Sequence, residues 1–144
     1  MKIREILRSK GTDVVTVEPG ATVHDAMRRL VEHDIGSLVV LEDADVVGII
    51  TERDVLRLGS RDPVFLKDRR VSEAMSEDVI IATPDEDIYY CMEVMTRNRV
   101  RHLPILEEGE LRGMVSIGDV VNACRRDAEA ENQYLKDYIR GSVR

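Results

Sequence analysis

Apolar positions along the chain fall into two blocks that read alike. In the first, residues 14–17 form a short apolar run that Pro19 closes as a turn. Thr22 then precedes Val23, Ala26, Met27, Leu30 and Val31, whose three- and four-residue spacing puts them on one face of a helix that the threonine caps. Residues 37–41 are a β-rich run, Glu42-Asp43-Ala44-Asp45 is a polar hairpin turn, and residues 46–50 return as a second strand. A further helix is predicted to start near Asp54. The second block keeps the order. It has an apolar run over 79–82, Pro84, and a helix capped by Asp87 with Ile88, Cys91, Met92 and Met95 on one face. A strand over 102–106, the turn Glu107-Glu108-Gly109-Glu110, a strand over 111–115 and a helix near Asp119 complete it.

The blocks match in register at an offset of 65 residues: Asp13-Val14 returns as Asp78-Val79, Pro19 as Pro84, Met27 as Met92, Leu38 as Leu103, Leu41-Glu42 as Leu106-Glu107, Gly48 as Gly113, and Asp54-Val55 as Asp119-Val120. Identities that hold register this long mark a duplicated unit. Each copy is β-α-β-β-α, a mixed α/β (α+β) pattern. A unit of this size buries too little surface to be secure alone. The two are therefore expected to stack their sheets as one pseudo-twofold module. The boundaries are a first repeat over 1–62, a linker over 63–75, a second repeat over 76–125 and a C-terminal helical extension over 126–144.

Where the copies join, over about 59–72, Gly59, Ser60, Asp62 and Pro63 read as a loop, and Val64, Phe65 and Leu66 as packing onto the module. Residues 71–75 read as a short helical turn, and residues 3–7 hold the matching place before the first copy. Pro104 has no N–H to give to a ladder, which predicts a sheet edge or a strand start. Beyond Asp119, Cys124, Ala128, Glu131, Leu135 and Tyr138 recur at steps of four and three on a helix that Gly141 is expected to stop. Such a stripe packs on its own module or on a second copy, and its length favours the dimer contact.

Charge narrows the partners. The formal net charge is −7, which argues against a duplex-DNA binder, since phosphate neutralisation needs clustered Lys and Arg. There is no Trp, one Phe and four Tyr, too few for a single-strand stacking platform. Nucleic acid is not an expected partner. Cys91 and Cys124 lie far apart in helical patterns and read as buried free thiols. Neither a leader-like apolar stretch at the start nor a membrane-length apolar run is visible, so a cytoplasmic protein without a membrane partner is expected.

The segment with chemistry closes each hairpin: Gly48-Ile49-Ile50-Thr51-Glu52-Arg53-Asp54 and Gly113-Met114-Val115-Ser116-Ile117-Gly118-Asp119. A hydroxyl followed three residues later by an acid at a strand-to-helix junction is a capping box. The same geometry suits a nucleotide. The helix N-terminus favours a phosphate, the hydroxyl can bond phosphate or ribose, and the carboxylate can accept from ribose hydroxyls. The two segments resemble the ribose-phosphate motif of the cystathionine-β-synthase-type (CBS) domain family, and residues 100–105 resemble that family's central strand. The resemblance covers nearly the whole chain and implies a CBS pair, or Bateman module.

By that resemblance an adenine nucleotide lies in each of two clefts between the repeats. One would hold Thr51 and Asp54 with Ile80, Ala82, Val100, Arg101 and His102. The other would hold Ser116 and Asp119 with Val15, Val17, Ile35, Gly36 and Ser37. Arg53, Arg101 and His102 gather on the first, which is expected to take the more anionic ligand. The resemblance implies AMP, ATP or NAD, with S-adenosylmethionine as a further ligand, no required cofactor, no metal and no catalytic residue. It also implies a regulatory role, a homodimer and a regulated protein as partner. Rival readings are a scaffold pair with empty clefts and a nucleotide-processing enzyme. His24 and His33 read as solvated, and Arg97 and Arg99 as a solvated face.

Overall fold

The structure of the 144-residue chain is a computed structural model that describes residues 1–62, 64 and 67–140. In order the elements are α1 (Ile3–Lys10), β1 (Thr16–Val17), α2 (Val23–His33), β2 (Ser37–Glu42), β3 (Asp45–Thr51), α3 (Glu52–Arg61), α4 (Val71–Ala74), α5 (Ile88–Asn98), β4 (His102–Glu107), β5 (Glu110–Ser116) and α6 (Ile117–Ile139). This is a mixed α+β chain with two repeats and a C-terminal helix. Both hairpins turn on two residues in the left-handed region: Asp43 (φ 50°) and Ala44 (φ 70°), then Glu108 (φ 53°) and Gly109 (φ 80°). That pairing of positive φ values matches the twist of antiparallel strands. Helices α2 and α5 end at equivalent left-handed caps, Asp34 and Arg99.

The chain forms two compact units. One consists of Met1–Thr12, Ala82–Ile105 and Gly113–Arg144, the other of Asp13–Ile81 and Leu106–Arg112. Each unit therefore joins most of a repeat to the short helix that precedes the other repeat. The N–H groups in a helix's first turn have no helical carbonyl to reach. Here the turn after each repeat's first apolar run supplies it. In the first-repeat unit Val71 N–H donates to Ala21 O (2.8 Å) and Ser72 N–H to Pro19 O (3.0 Å). In the second-repeat unit Ile3 N–H donates to Glu86 O (3.0 Å) and Arg4 N–H to Pro84 O (2.8 Å). Residues 3–7, which sequence set before the first copy, thus belong with the second.

The two glycines of the repeated motif allow this seating. A Cβ on Gly48 would meet Met75 Sδ at 2.5 Å and Ser76 O at 3.0 Å, whereas one on Gly113 would meet only the Leu7 side chain, at 2.7 Å. The Ser76 carbonyl cannot yield easily, because residue 76 exchanges both backbone bonds with Ile49. Gly48→Ala is therefore expected to cost about 1–3 kcal/mol by overpacking. Gly113→Ala is expected to cost less, because Leu7 can shift rotamer. Urea melts of the two variants check the order.

In the first-repeat unit Val17, Ala26, Leu30, Leu38, Val40, Ile50 and Val71 form the core. In the second-repeat unit the buried set is Ile3, Ile6, Leu7, Ala82, Ile88, Cys91, Met95, Leu103, Ile105, Val115, Val120, Ala123 and Cys124. Val31, read as part of the α2 face, is 81% exposed. It stands at the rim of the arc that buries Val23, Ala26 and Leu30. The first sheet runs β1-β2-β3, with β1 parallel to β2 through Thr16↔Val39 and Val17↔Val40. The strand expected over 79–82 reduces to one bridge, Ala82↔Ile105, beside the two-stranded β4-β5 sheet. Pro104 occupies the place of Val39 and has no N–H for the next rung, although its carbonyl accepts from Ala82 N–H (3.1 Å).

Gly59 and Ser60 are not loop residues. They lie in α3, where Ser60 Oγ donates to Arg57 O (2.9 Å). Val64 is 79% exposed rather than packed. The expectations for Pro63, Phe65, Leu66 and Gly141 fall outside the described residues. The helical turn expected over 71–75 is α4. The long helix after Asp119 is α6, and its last turns leave Tyr134, Leu135, Tyr138 and Ile139 exposed.

Candidate functional site

Each β-hairpin delivers its second strand directly into a helix, and the motif sits at that junction. Strand β3 ends at Thr51 and α3 begins at Glu52. Thr51 Oγ1 accepts from Asp54 N–H (3.2 Å), while Asp54 Oδ2 accepts from Thr51 N–H (2.8 Å) and the Thr51 hydroxyl (3.0 Å). Strand β5 ends at Ser116 and α6 begins at Ile117. Ser116 Oγ accepts from Asp119 N–H (3.1 Å), and Asp119 Oδ2 accepts from Ser116 N–H (2.8 Å). Both capping boxes are closed, and both carboxylates are half-buried. Each carboxylate spends only Oδ2 on these bonds, and no donor among the described residues reaches Oδ1.

The start of the preceding strand lies beside each motif. Ser37 pairs with Thr51 across the β2-β3 ladder, and Glu52 N–H donates to Gly36 O (3.0 Å). In the second repeat Ile117 N–H donates to Arg101 O (2.8 Å). The within-repeat neighbours of each box are thus the strand-start residues that sequence reading had assigned to the opposite box. Of the other candidates, Val15 and Ile35 pack on the first-repeat core, and Val17 and Ser37 are buried. Ala82 is buried on its bridge to Ile105, and Ile80, Val100 and His102 are half-buried. Arg53 and Arg101 are exposed. His33 is exposed as expected, whereas His24 is half-buried.

One residue escaped sequence reading. Lys10 Nζ lies 2.5 Å from Asp119 Oδ2. It precedes the duplicated stretch, so the repeat register could not expose it. Its only sequence signal is a cation at the end of a helix closed by Gly11. Partial burial pushes the Asp119 carboxyl up. The hydrogen bonds from Lys10 and Ser116 and the Lys10 charge outweigh that and hold it below the usual carboxylate range. The resulting stabilisation is present above the ordinary carboxylate pKa and is lost as pH falls through the lowered one.

Two further groups sit at α5 and α6. Tyr89 Oη donates to Asp127 Oδ2 (2.9 Å), and this bond, then burial and the carboxylate charge, push the phenol up to about 12. Ultraviolet titration should show Tyr89 ionising late, and Asp127→Asn should bring its pKa down toward the ordinary range. Cys91 and Cys124 are buried free thiols, and burial pushes Cys91 up to about 11. Among the described residues no helix is long and apolar enough to cross a membrane, and no cluster of His, Cys, Asp and Glu is arranged to hold a metal.

Comparison with known proteins places this geometry. The family model of the CBS domain matches residues 3–61 and 71–126. The CBS domain-containing protein CBSX3, mitochondrial, of Arabidopsis thaliana is 36% identical over 148 residues, covering 96% of this chain and 72% of that protein. The crystal structure of the CBS-domain containing protein ATU1752 from Agrobacterium tumefaciens superposes with a TM-score of 0.82 at 39% identity, over 85% of this chain and 98% of that one. The CBS domain pair of protein MJ0100, solved in complex with 5′-methylthioadenosine and S-adenosyl-L-methionine, shares the fold with a TM-score of 0.78 at 20% identity, over 88% of this chain and 98% of that one. With both repeats matched and the hydroxyl-acid box built twice, this chain belongs to the CBS domain family, as a pair of CBS repeats.

Proposed function

We propose that the chain is a regulatory or sensory CBS pair that reversibly binds an adenine nucleotide and performs no reaction on it. The doubled box carries this reading. A helix start is served equally by Asn or Asp at the cap and Glu or Gln three residues on. Thr22 and Asp25 close a like box on α2 in the first repeat alone, whereas at the hairpin-to-helix junction both repeats keep a hydroxyl and an aspartate, with the same pair of backbone hydrogen bonds and an open Oδ1. An open carboxylate oxygen beside a helix N-terminus suits ribose hydroxyls with a phosphate close by. The MJ0100 pair holds two adenosine ligands, so the fold accommodates that class. AMP, ATP and NAD are the candidate ligands, with S-adenosylmethionine a fourth, and no further cofactor is needed.

The motif residues are committed to capping. Each hydroxyl accepts from a backbone N–H and each acid accepts one in return, and the bond from the Thr51 hydroxyl to Asp54 Oδ2 has no counterpart among the described bonds of the Ser116 box. Signalling requires that the nucleotide bind two states of the protein with different affinity. A second copy is the partner that the exposed apolar end of α6 suits, and a regulated protein is the listener. Incubation with AMP, ATP, NAD and S-adenosylmethionine, followed by thermal melts and product assays, tests the reading. A ligand at a hundredfold excess over its Kd should stabilise the fold by about 2.7 kcal/mol, without turnover. Turnover would make the protein an enzyme, and silence across the panel would make it a scaffold.

A further inference from the structure

The two boxes differ at one contact. Leu7 and Met75 hold equivalent seats against Gly113 and Gly48. Past that seat the chain diverges. Helix α4 stops at Ala74, and Ser76 runs beside Ile49, whereas α1 continues to Lys10. That added turn places the Lys10 ammonium on the Asp119 carboxylate. Among the described residues Asp54 has no cation within ion-pair distance.

Resting on the nucleotide-binding reading, we propose that Lys10 makes the Ser116–Asp119 site selective for nucleotides with a 5′-phosphate over the bare nucleoside. In the free protein Lys10 neutralises Asp119. Ribose hydroxyls on Oδ1 share the Asp119 charge with the ammonium on Oδ2, and an adenosine offers the ammonium nothing in exchange. A 5′-phosphate does, because the long, flexible lysine stem can turn its charge from one anion to the other. Lys10 and Asp119 are both partly exposed, at 37% and 27% of their side chains, so the ammonium can move without opening the core. At Thr51–Asp54 no such exchange is needed. The sequence-based expectation instead gave the more anionic ligand to the Thr51 box, on the strength of Arg53, Arg101 and His102.

The test isolates the second site with Asp54→Asn and compares AMP with adenosine by isothermal titration calorimetry, with and without Lys10→Met. In the Asp54→Asn protein AMP should bind at least about tenfold tighter than adenosine. Adding Lys10→Met should bring the two affinities to within about threefold, AMP weakening and adenosine holding or gaining. An unchanged AMP preference in the Lys10→Met protein, with binding intact, overturns the role of Lys10 and leaves the nucleotide reading standing. Binding by the wild type that Asp54→Asn abolishes also overturns it, since the second site would then be empty. Failure of the wild type to bind either ligand removes the nucleotide reading and this inference together. Melting curves of each variant confirm that the fold is kept.

Discussion

Asp54→Asn and Asp119→Asn are each expected to lose roughly a hundredfold in nucleotide affinity at the altered box, with less than about 1 kcal/mol of folding stability. Two roles of one carboxylate are separated by this change. As a capping group, Asp54 accepts from the Thr51 N–H and hydroxyl through Oδ2. An asparagine carbonyl oxygen can still accept there, so most of the cap survives. As a ligand group, the aspartate brings a negative charge and an open Oδ1 to two ribose hydroxyls. Charge-assisted bonds are worth about 1.5–3 kcal/mol each, and their partial loss is roughly a hundredfold in affinity. Asp119→Asn also releases Lys10, so its acid-side stability profile should flatten relative to wild type. Calorimetry and thermal melts on the same samples read both quantities. Equal small losses in both would mean that the boxes are caps and nothing more.

Leu103→Ala is expected to destabilise the fold by about 3 kcal/mol, and Leu135→Ala by about 0.5 kcal/mol or less. Leu103 is fully buried near the start of β4, and its repeat partner Leu38 is equally buried near the start of β2. Truncating such a side chain removes its transfer energy and leaves a cavity that neighbouring strands cannot fill. Leu135 is 51% exposed on the last turns of α6, so truncation there removes little buried surface within the chain. The contrast therefore also probes the partner surface. If a second copy covers this end of α6, Leu135→Ala should lower the dimer fraction in sedimentation while leaving the dilute monomer's denaturation midpoint unchanged.

The repeat and its elements were legible because they rest on side-chain patterning. Helices α2 and α5, both hairpins and the start of α3 and α6 follow from spacing, turn residues and caps. What escaped rests on the backbone. The attachment of α1 to the second repeat is made by N–H groups of its first turn and the carbonyls of Pro84 and Glu86, which no residue identity announces. Gly59 and Ser60 read as a loop by composition, yet the Thr51 box starts a helix that runs through them to Arg61. Pro104 was read correctly as a limit on pairing, but its consequence, the loss of a strand over 79–82, needed the register of the first repeat for comparison. At the site, Thr51, Asp54, Ser116 and Asp119 were visible as a spaced motif. Lys10 was not, because it precedes the matched register and its partner lies far along the chain.

The central claim is that the two boxes are ligand sites as well as helix caps. Titration of AMP into the wild type, each single asparagine variant and the double variant, read as ligands bound per chain, tests it most directly. Two, one, one and none are expected, with the double variant's melting temperature within a few degrees of wild type. A double variant that binds AMP with the wild-type stoichiometry would contradict it.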